Sequence, residues 1–185
     1  MARLSDIARS YIRDQIVSST FEARKIVLDT ARLALAEHAL VLRLGHNWRN
    51  RVAQVPTGWL PTANRIWVKL LNDPRNRVMV LPLEGPYPLP ADLVHGDPIG
   101  LDSRGSQDLI AIEREQERIS ESRRELVGEI NRALRGFTTE AQLRDGWPEA
   151  YKYISQSKSA PAVNLPVVQI DQLKQKIAHL ATLEA

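Results

Sequence analysis

The sequence predicts a mainly α-helical protein with a small β-hairpin, an α+β fold, and three observations carry that prediction. Residues 3–44 hold no Gly or Pro and repeat apolar side chains at helical spacing. Residues 106–136 place apolar side chains three and four apart. Between these stretches lies Pro- and Gly-rich sequence with two β-prone runs around a turn. Aromatic residues make up only 5% of the chain, so the core must be Leu, Ile, Val and Ala, a composition that suits helix packing. The expected assembly is two long antiparallel, coiled-coil-like helices with the β-hairpin at their tip and short C-terminal helices after them. This makes one elongated domain over 1–185: a helical hairpin from 1–45 and 106–137, a β-rich tip at 46–105, and a C-terminal helical segment at 138–185.

The first helix should end at Gly45, a residue suited to a helix C-terminus. Ile7, Phe21, Leu28, Leu35 and Leu42 recur every seven residues, with Asp14 at the missing step. Ile12, Ile16, Ile26, Val27 and Leu33 occupy other faces. A helix with two apolar stripes usually touches more than one neighbour, so self-association as a homo-oligomer, or membership of a larger assembly with another protein, is expected.

In the middle segment, Arg65-Ile66-Trp67-Val68-Lys69-Leu70-Leu71 and Arg77-Val78-Met79-Val80-Leu81-Pro82-Leu83 are the β-prone runs. Asn72-Asp73-Pro74-Arg75-Asn76 supplies the turn. Pro82 limits the second strand to an edge or an end, because proline has no backbone N–H to donate. Residues 84–105, with Pro86, Pro88, Pro90 and Pro98, read as an extended loop. Ser106 is the expected N-cap of the second long helix, with Asp108 in its first turn. Its seam is Leu109, Ile112, Gln116, Ile119, Arg123, Leu126, Ile130, Ala133 and Phe137.

Thr139 and Gln142 have the spacing of a capping box, and Pro148 suits the first position of another short helix. Ser155 to Ala160 reads as polar linker and Leu165 to Ile170 as extended chain. A last amphipathic helix is expected over 171–183 through Leu173, Ile177 and Leu180.

Composition excludes several classes of chemistry. With no cysteine there is no disulfide, thiolate metal site or cysteine nucleophile. No apolar run approaches the roughly 20 residues a membrane helix needs, and the N-terminus lacks an apolar signal core. No membrane partner is therefore expected, and the protein should stay where it is made. Residues 1–77 carry 13 of the 25 basic residues and 6 of the 22 acidic ones, a net +7; the remainder is net −4. That asymmetry permits an acidic partner for the first half, but also head-to-tail self-association or packing of basic against acidic helices.

No phosphate-binding Gly-rich loop, dinucleotide fingerprint or nucleophile elbow is present. Arg104-Gly105-Ser106 ahead of a helix fits an anion site, and ordinary N-capping explains it as well. Among the four histidines, His38, His46, His95 and His179, none is paired at metal-ligand spacing. His95 lies close to Asp92 and Asp97, a cluster that a hard metal or acid–base site would use. A loop with Asx turns explains the same residues. No catalytic residue, metal ligand or cofactor is assigned, and the sequence points away from an enzyme.

The candidate partner-binding residues are Trp48, Arg49, Arg51, Trp59, Trp67, Lys69, Arg75 and Arg77. Arg can hold phosphates while Trp stacks on bases. Trp and Arg are also enriched at protein interfaces. A third reading places Trp59 and Trp67 in the core of the tip.

Three stretches resemble a known family. They are Pro56-Thr57-Gly58-Trp59-Leu60-Pro61, the hairpin ending in Val80-Leu81-Pro82-Leu83, and the C-terminal part. The last comprises Thr138-Thr139-Glu140-Ala141-Gln142-Leu143, Trp147-Pro148-Glu149-Ala150 and Leu165-Pro166-Val167-Val168. In this order they resemble small bacteriophage proteins of the nucleotide modification associated domain family five. The resemblance implies a phage accessory protein in the host cytoplasm or the virion, and it transfers no catalytic residue. Two functions follow as expectations, and the sequence favours the first, because the cofactor loop or acid–base cluster of a modifying enzyme is missing. The first is a non-enzymatic factor that binds a phage or host protein, as a virion component or as an inhibitor of a host or defence protein. The second is an accessory of nucleic-acid modification that touches DNA through the basic, Trp- and Arg-containing tip.

Overall fold

A computed structural model describes residues 2–154 and 168–182. It is 64% helical with one small three-stranded sheet, the α+β class that the sequence predicts. The chain divides into two compact units, Met1–Lys25 with Glu117–Ala185, and Ile26–Gln116.

Helix α1 spans Asp6–Leu44. The Ser5 Oγ accepts a bond from the Ala8 N–H at 3.1 Å and so satisfies one free donor of the first turn. Gly45 follows with φ of +88°, a conformation that glycine adopts without steric penalty. The buried side begins at Leu4, Ala8, Ile12, Ile16 and Val17, and includes Phe21, Leu28 and Leu35 further along. Ile7 and Leu42, expected in the same stripe, are exposed at 80% and 44%. A helix turns every 3.6 residues, so a strict seven-residue repeat drifts off any straight face. Of the second stripe, Ile12 and Ile16 are buried while Ile26 and Val27 face solvent.

In the unit Ile26–Gln116, the expected hairpin is present and larger than predicted. Strand β1 covers Thr62–Lys69 and pairs antiparallel with β2, Val78–Pro88. The third strand, β3, is the two-residue Ile99–Gly100, parallel to the end of β1, and the order is β2-β1-β3. Strand β2 is thus an edge strand, as Pro82 requires. Two short helices lie within the segment expected to be a β-rich tip: α2 at Trp48–Ala53, and α3 at Ala91–His95 in the stretch read as an extended loop. Both are too short to leave a periodic signal. A parallel strand needs a crossover, and α3 lies in the one that returns the chain from β2 to β3.

Helix α4 covers Ser103–Arg135, three residues earlier than the expected start. The residue ahead of it, Asp102, accepts from the Gly105 N–H at 2.7 Å and acts as the cap. Ser106 is instead buried inside the first turns, where its Oγ accepts from the Leu71 N–H at 2.8 Å. The end of β1 is thereby fastened to α4, and the Leu101 N–H donates to the Lys69 carbonyl beside it. The α4 seam is buried at Leu109, Ile112, Ile119, Leu126, Ile130, Ala133 and Phe137; Gln116 is half-buried and Arg123 exposed.

In the other unit, Arg9 of α1 donates to the Leu134 and Phe137 carbonyls at the end of α4. Helix α5, Glu140–Gly146, starts with the expected capping box: the Gln142 N–H donates to the Thr139 Oγ1 at 3.1 Å, and the Thr139 N–H donates to the Gln142 Oε1 at 3.2 Å. Pro148 opens α6, Pro148–Tyr151, as expected. Helix α7 covers Val168–Thr182 and starts three residues before the predicted position. Lys176 ties it to Glu129 and Glu125 of α4, and Leu173 and Leu180 are buried. The expected linker 155–160 and the stretch 165–167 lie outside the described residues.

Candidate functional site

The pairing of β1 with β2 is regular from Arg65↔Pro82 to Lys69↔Val78 and shifts register only between Ala63 and Arg65. Within a regular ladder, alternate side chains share a face. Ile66, Val68 and Leu81 point into the core. The outer face then holds Arg65, Trp67 and Lys69 on β1, with Pro82, Val80 and Val78 directly opposite. Trp67, Val80 and Val78 are 43%, 41% and 46% exposed.

The turn that joins these strands is built by Asp73. Its carboxylate accepts from the Arg75 and Arg77 N–H groups at 3.3 and 3.0 Å, and from the Arg77 Nε at 3.2 Å. Asn72 and Asn76 take the left-handed backbone, with φ of 56° and 46°, that asparagine tolerates best among side-chain-bearing residues. The backbone donation from Arg77 is the largest influence lowering the Asp73 pKa below the usual carboxylate range.

The structure separates the sequence-predicted cations, together with Arg65 of β1, into two groups. Arg77 is held by Asp73 and lies 3.9 Å from Glu113. Arg49 pairs with Glu37 and sits 5.3 Å above the Trp48 ring. The Arg51 guanidinium donates to the Leu44 carbonyl at 2.6 Å. Arg65, Lys69 and Arg75 make no ion pair among the described residues. The tryptophans divide as well. Trp48 is buried, edge-on to Tyr87 with ring centres 5.1 Å apart, and presents no stacking face to a partner. Trp59, at 79% exposure, stands in the loop before β1, so neither Trp59 nor Trp67 is the core residue that one sequence reading made it.

A second feature escaped the sequence reading. The His38 Nε2 lies 3.1 Å from both carboxylate oxygens of Asp102, which the Gly105 N–H and then His38 hold below the usual pKa range. The pair sits beside a cleft of about 460 Å³ lined by Ala31, Ala34, Leu35, His38, Arg104 and Asp108, among others. Asp102 orients the imidazole, and among the described residues no Ser, Thr or Lys side chain lines the cleft as a nucleophile. The two residues are 64 positions apart, and no local motif relates them. A smaller cleft of about 260 Å³ in the other unit lies between Trp147, Tyr153, Lys152 and Lys174.

The cluster Asp92, His95 and Asp97 does not form a pocket of ligands. Asp92 pairs with Arg43, and all three residues are exposed. Among the described residues no three His or acidic side chains are grouped to hold a metal ion. None of the described helices is long and apolar enough to cross a membrane.

No curated protein and no solved structure matches this chain. The family model that does match takes in β3, α4, α5, α6 and most of α7, and hence the third of the three stretches described above, while the hairpin face lies outside it. Residues 99–179 match the nucleotide modification associated domain 5 family, the family that the sequence motifs resemble.

Proposed function

We propose that the protein is a non-catalytic accessory of nucleotide modification that holds nucleic acid on the outer face of β1 and β2. The observation that carries this reading is Trp67 standing open to solvent between Arg65 and Lys69, two cations with no acidic partner among the described residues. The fold does not need these charges, and an exposed aromatic ring between them suits a phosphate backbone with accessible bases. The description of the matching family supports the same direction.

The test is binding of fluorescein-labelled DNA across a salt series. Two or three phosphate contacts, from Arg65, Lys69 and Arg75, give a slope of log affinity against log salt of about −1.4 to −2.1 for single strands. Replacing Arg65 and Lys69 by Ala should flatten most of that slope. DNA affinity that ignores salt, or no DNA binding at low salt, refutes the proposal.

A protein partner, in the virion or in the host, is the second reading. The apolar column of Val78 and Val80 beside Trp67 favours it. Under that reading Val78→Thr with Val80→Thr removes the partner from complexes purified from infected cells, and DNA binding at low salt is absent from the start.

A further inference from the structure

We infer, building on the proposed function, that the nucleic acid held on this face is single-stranded, with an unpaired base stacked on Trp67 and its flanking phosphates at Arg65 and Lys69. The geometry of the ladder carries the argument. Side chains two apart on one strand stand roughly 6.6 Å apart, so Arg65 and Lys69 stand about 13 Å apart with Trp67 midway. The strand opposite brings Val80 against Trp67, with Pro82 and Val78 on either side. The result is a flat apolar strip, two side chains wide, with a cation at each end of one column.

Such a strip can receive the face of a base but cannot read its edge. Of the six side chains on the regular face, only Arg65, Lys69 and the Trp67 indole N–H can hydrogen-bond; all three only donate, and the face offers no acceptor. Reading a duplex through its grooves requires donors and acceptors matched to base edges, often delivered by a helix or a projecting ribbon. In a duplex the faces of the bases are covered by their neighbours, and Trp67 would have nothing to stack on. In a single strand every base offers a face, which makes stacking tolerant of sequence. Neither cation has an acidic partner among the described residues, and Asp73, in the turn that joins the two strands, is engaged by Arg77. The exposed acid on the same strands, Glu84, lies within the register shift, two residues past Pro82, and forms no ion pair with Arg65.

The experiment compares the full chain against a labelled oligothymidylate of about 12 nucleotides and a duplex of the same length, by anisotropy at low salt. The single strand should bind at least about tenfold more tightly, with quenching of tryptophan fluorescence. Trp67→Ala should weaken single-strand binding by about 5- to 150-fold, the range for one stacked base, while leaving the salt slope unchanged. Trp67→Phe should retain most of the affinity, and Trp67→Leu, which keeps apolar bulk without a π-face, should behave like Ala. Trp67 is on the solvent side of the sheet, and circular dichroism will establish that each variant is folded. Equal or tighter binding of the duplex overturns the inference but leaves the proposed function standing, as does a Trp67→Leu variant that binds like the parent. Absence of binding to either probe overturns both.

Discussion

Replacing Ser106 by Ala is expected to destabilise the protein by about 1 kcal/mol, and the sign separates two roles for this residue. As an exposed helix residue, Ser106 would gain stability on becoming Ala, by about 0.5 kcal/mol. In the structure it is buried and its Oγ is the acceptor for the Leu71 N–H at 2.8 Å. Leaving a donor without its partner costs about 1–3 kcal/mol. Leu71 itself is 51% exposed, so water partly compensates and the lower half of that range applies. About 1.5 kcal/mol lost and about 0.5 kcal/mol regained leave about 1 kcal/mol, or a melting temperature lower by about 2–4 °C in a chain of this size. Urea unfolding measures the change, and hydrogen exchange at the Leu71 amide locates it. Asp102→Ala should cost a similar amount through loss of the N-cap while leaving the Leu71 amide protected. A Ser106→Ala protein as stable as the parent, with unchanged exchange at Leu71, refutes the reasoning.

Thr139→Ala, which removes the acceptor of the capping box on α5, should cost about 1–2 kcal/mol in chemical denaturation, whereas Thr139→Ser should cost only about the 0.8 kcal/mol of one methyl group. Gly146→Ala would place a Cβ 2.6 Å from Cε1 of the buried Phe137 ring, and an overpacking loss of about 1–3 kcal/mol is expected by the same method. Asp73 and Asp102 both have folded pKa values below their unfolded ones, so they stabilise the fold above the unfolded value, about 3.9, and that contribution is lost as pH falls through the folded values. Melting temperature should therefore fall off in acid below about pH 4, and Asp73→Asn should shallow that decline.

What could be read from the sequence were features encoded within a few residues. The hairpin turn was legible because Asp73, Asn72 and Asn76 act on their own backbone. The capping box at Thr139 and Gln142 is likewise a contact across three residues. What could not be read depends on pairing across long separations. The strand Ile99–Gly100 has two residues and no periodicity, and it exists only because β1 offers it a partner. The link between His38 and Asp102 spans 64 residues. The start of α4 was misplaced because Asp102 and Ser106 are both acceptable caps by composition, and the choice is made by Leu71, which draws the Ser106 hydroxyl toward the sheet.

The candidate face shows why charge counted along the chain is a poor guide to a binding surface. The first 77 residues carry a net +7, yet the unit Ile26–Gln116, which holds the face, has ten basic and ten acidic residues. Its field at a distance is therefore weak, and long-range steering by net charge contributes little. What remains is local. Arg43, Arg49 and Arg77 are neutralised by carboxylates at short range, while Arg65, Lys69 and Arg75 stay unpaired among the described residues. A site formed from such residual cations makes few phosphate contacts, so its salt dependence is shallow and stacking on Trp67 must supply much of the affinity. Loss of the ring should therefore weaken binding more than loss of either single cation at physiological salt, and the order should reverse as salt is lowered. An Arg65→Ala protein that binds single strands worse than Trp67→Ala at physiological salt would assign the surface to charge alone.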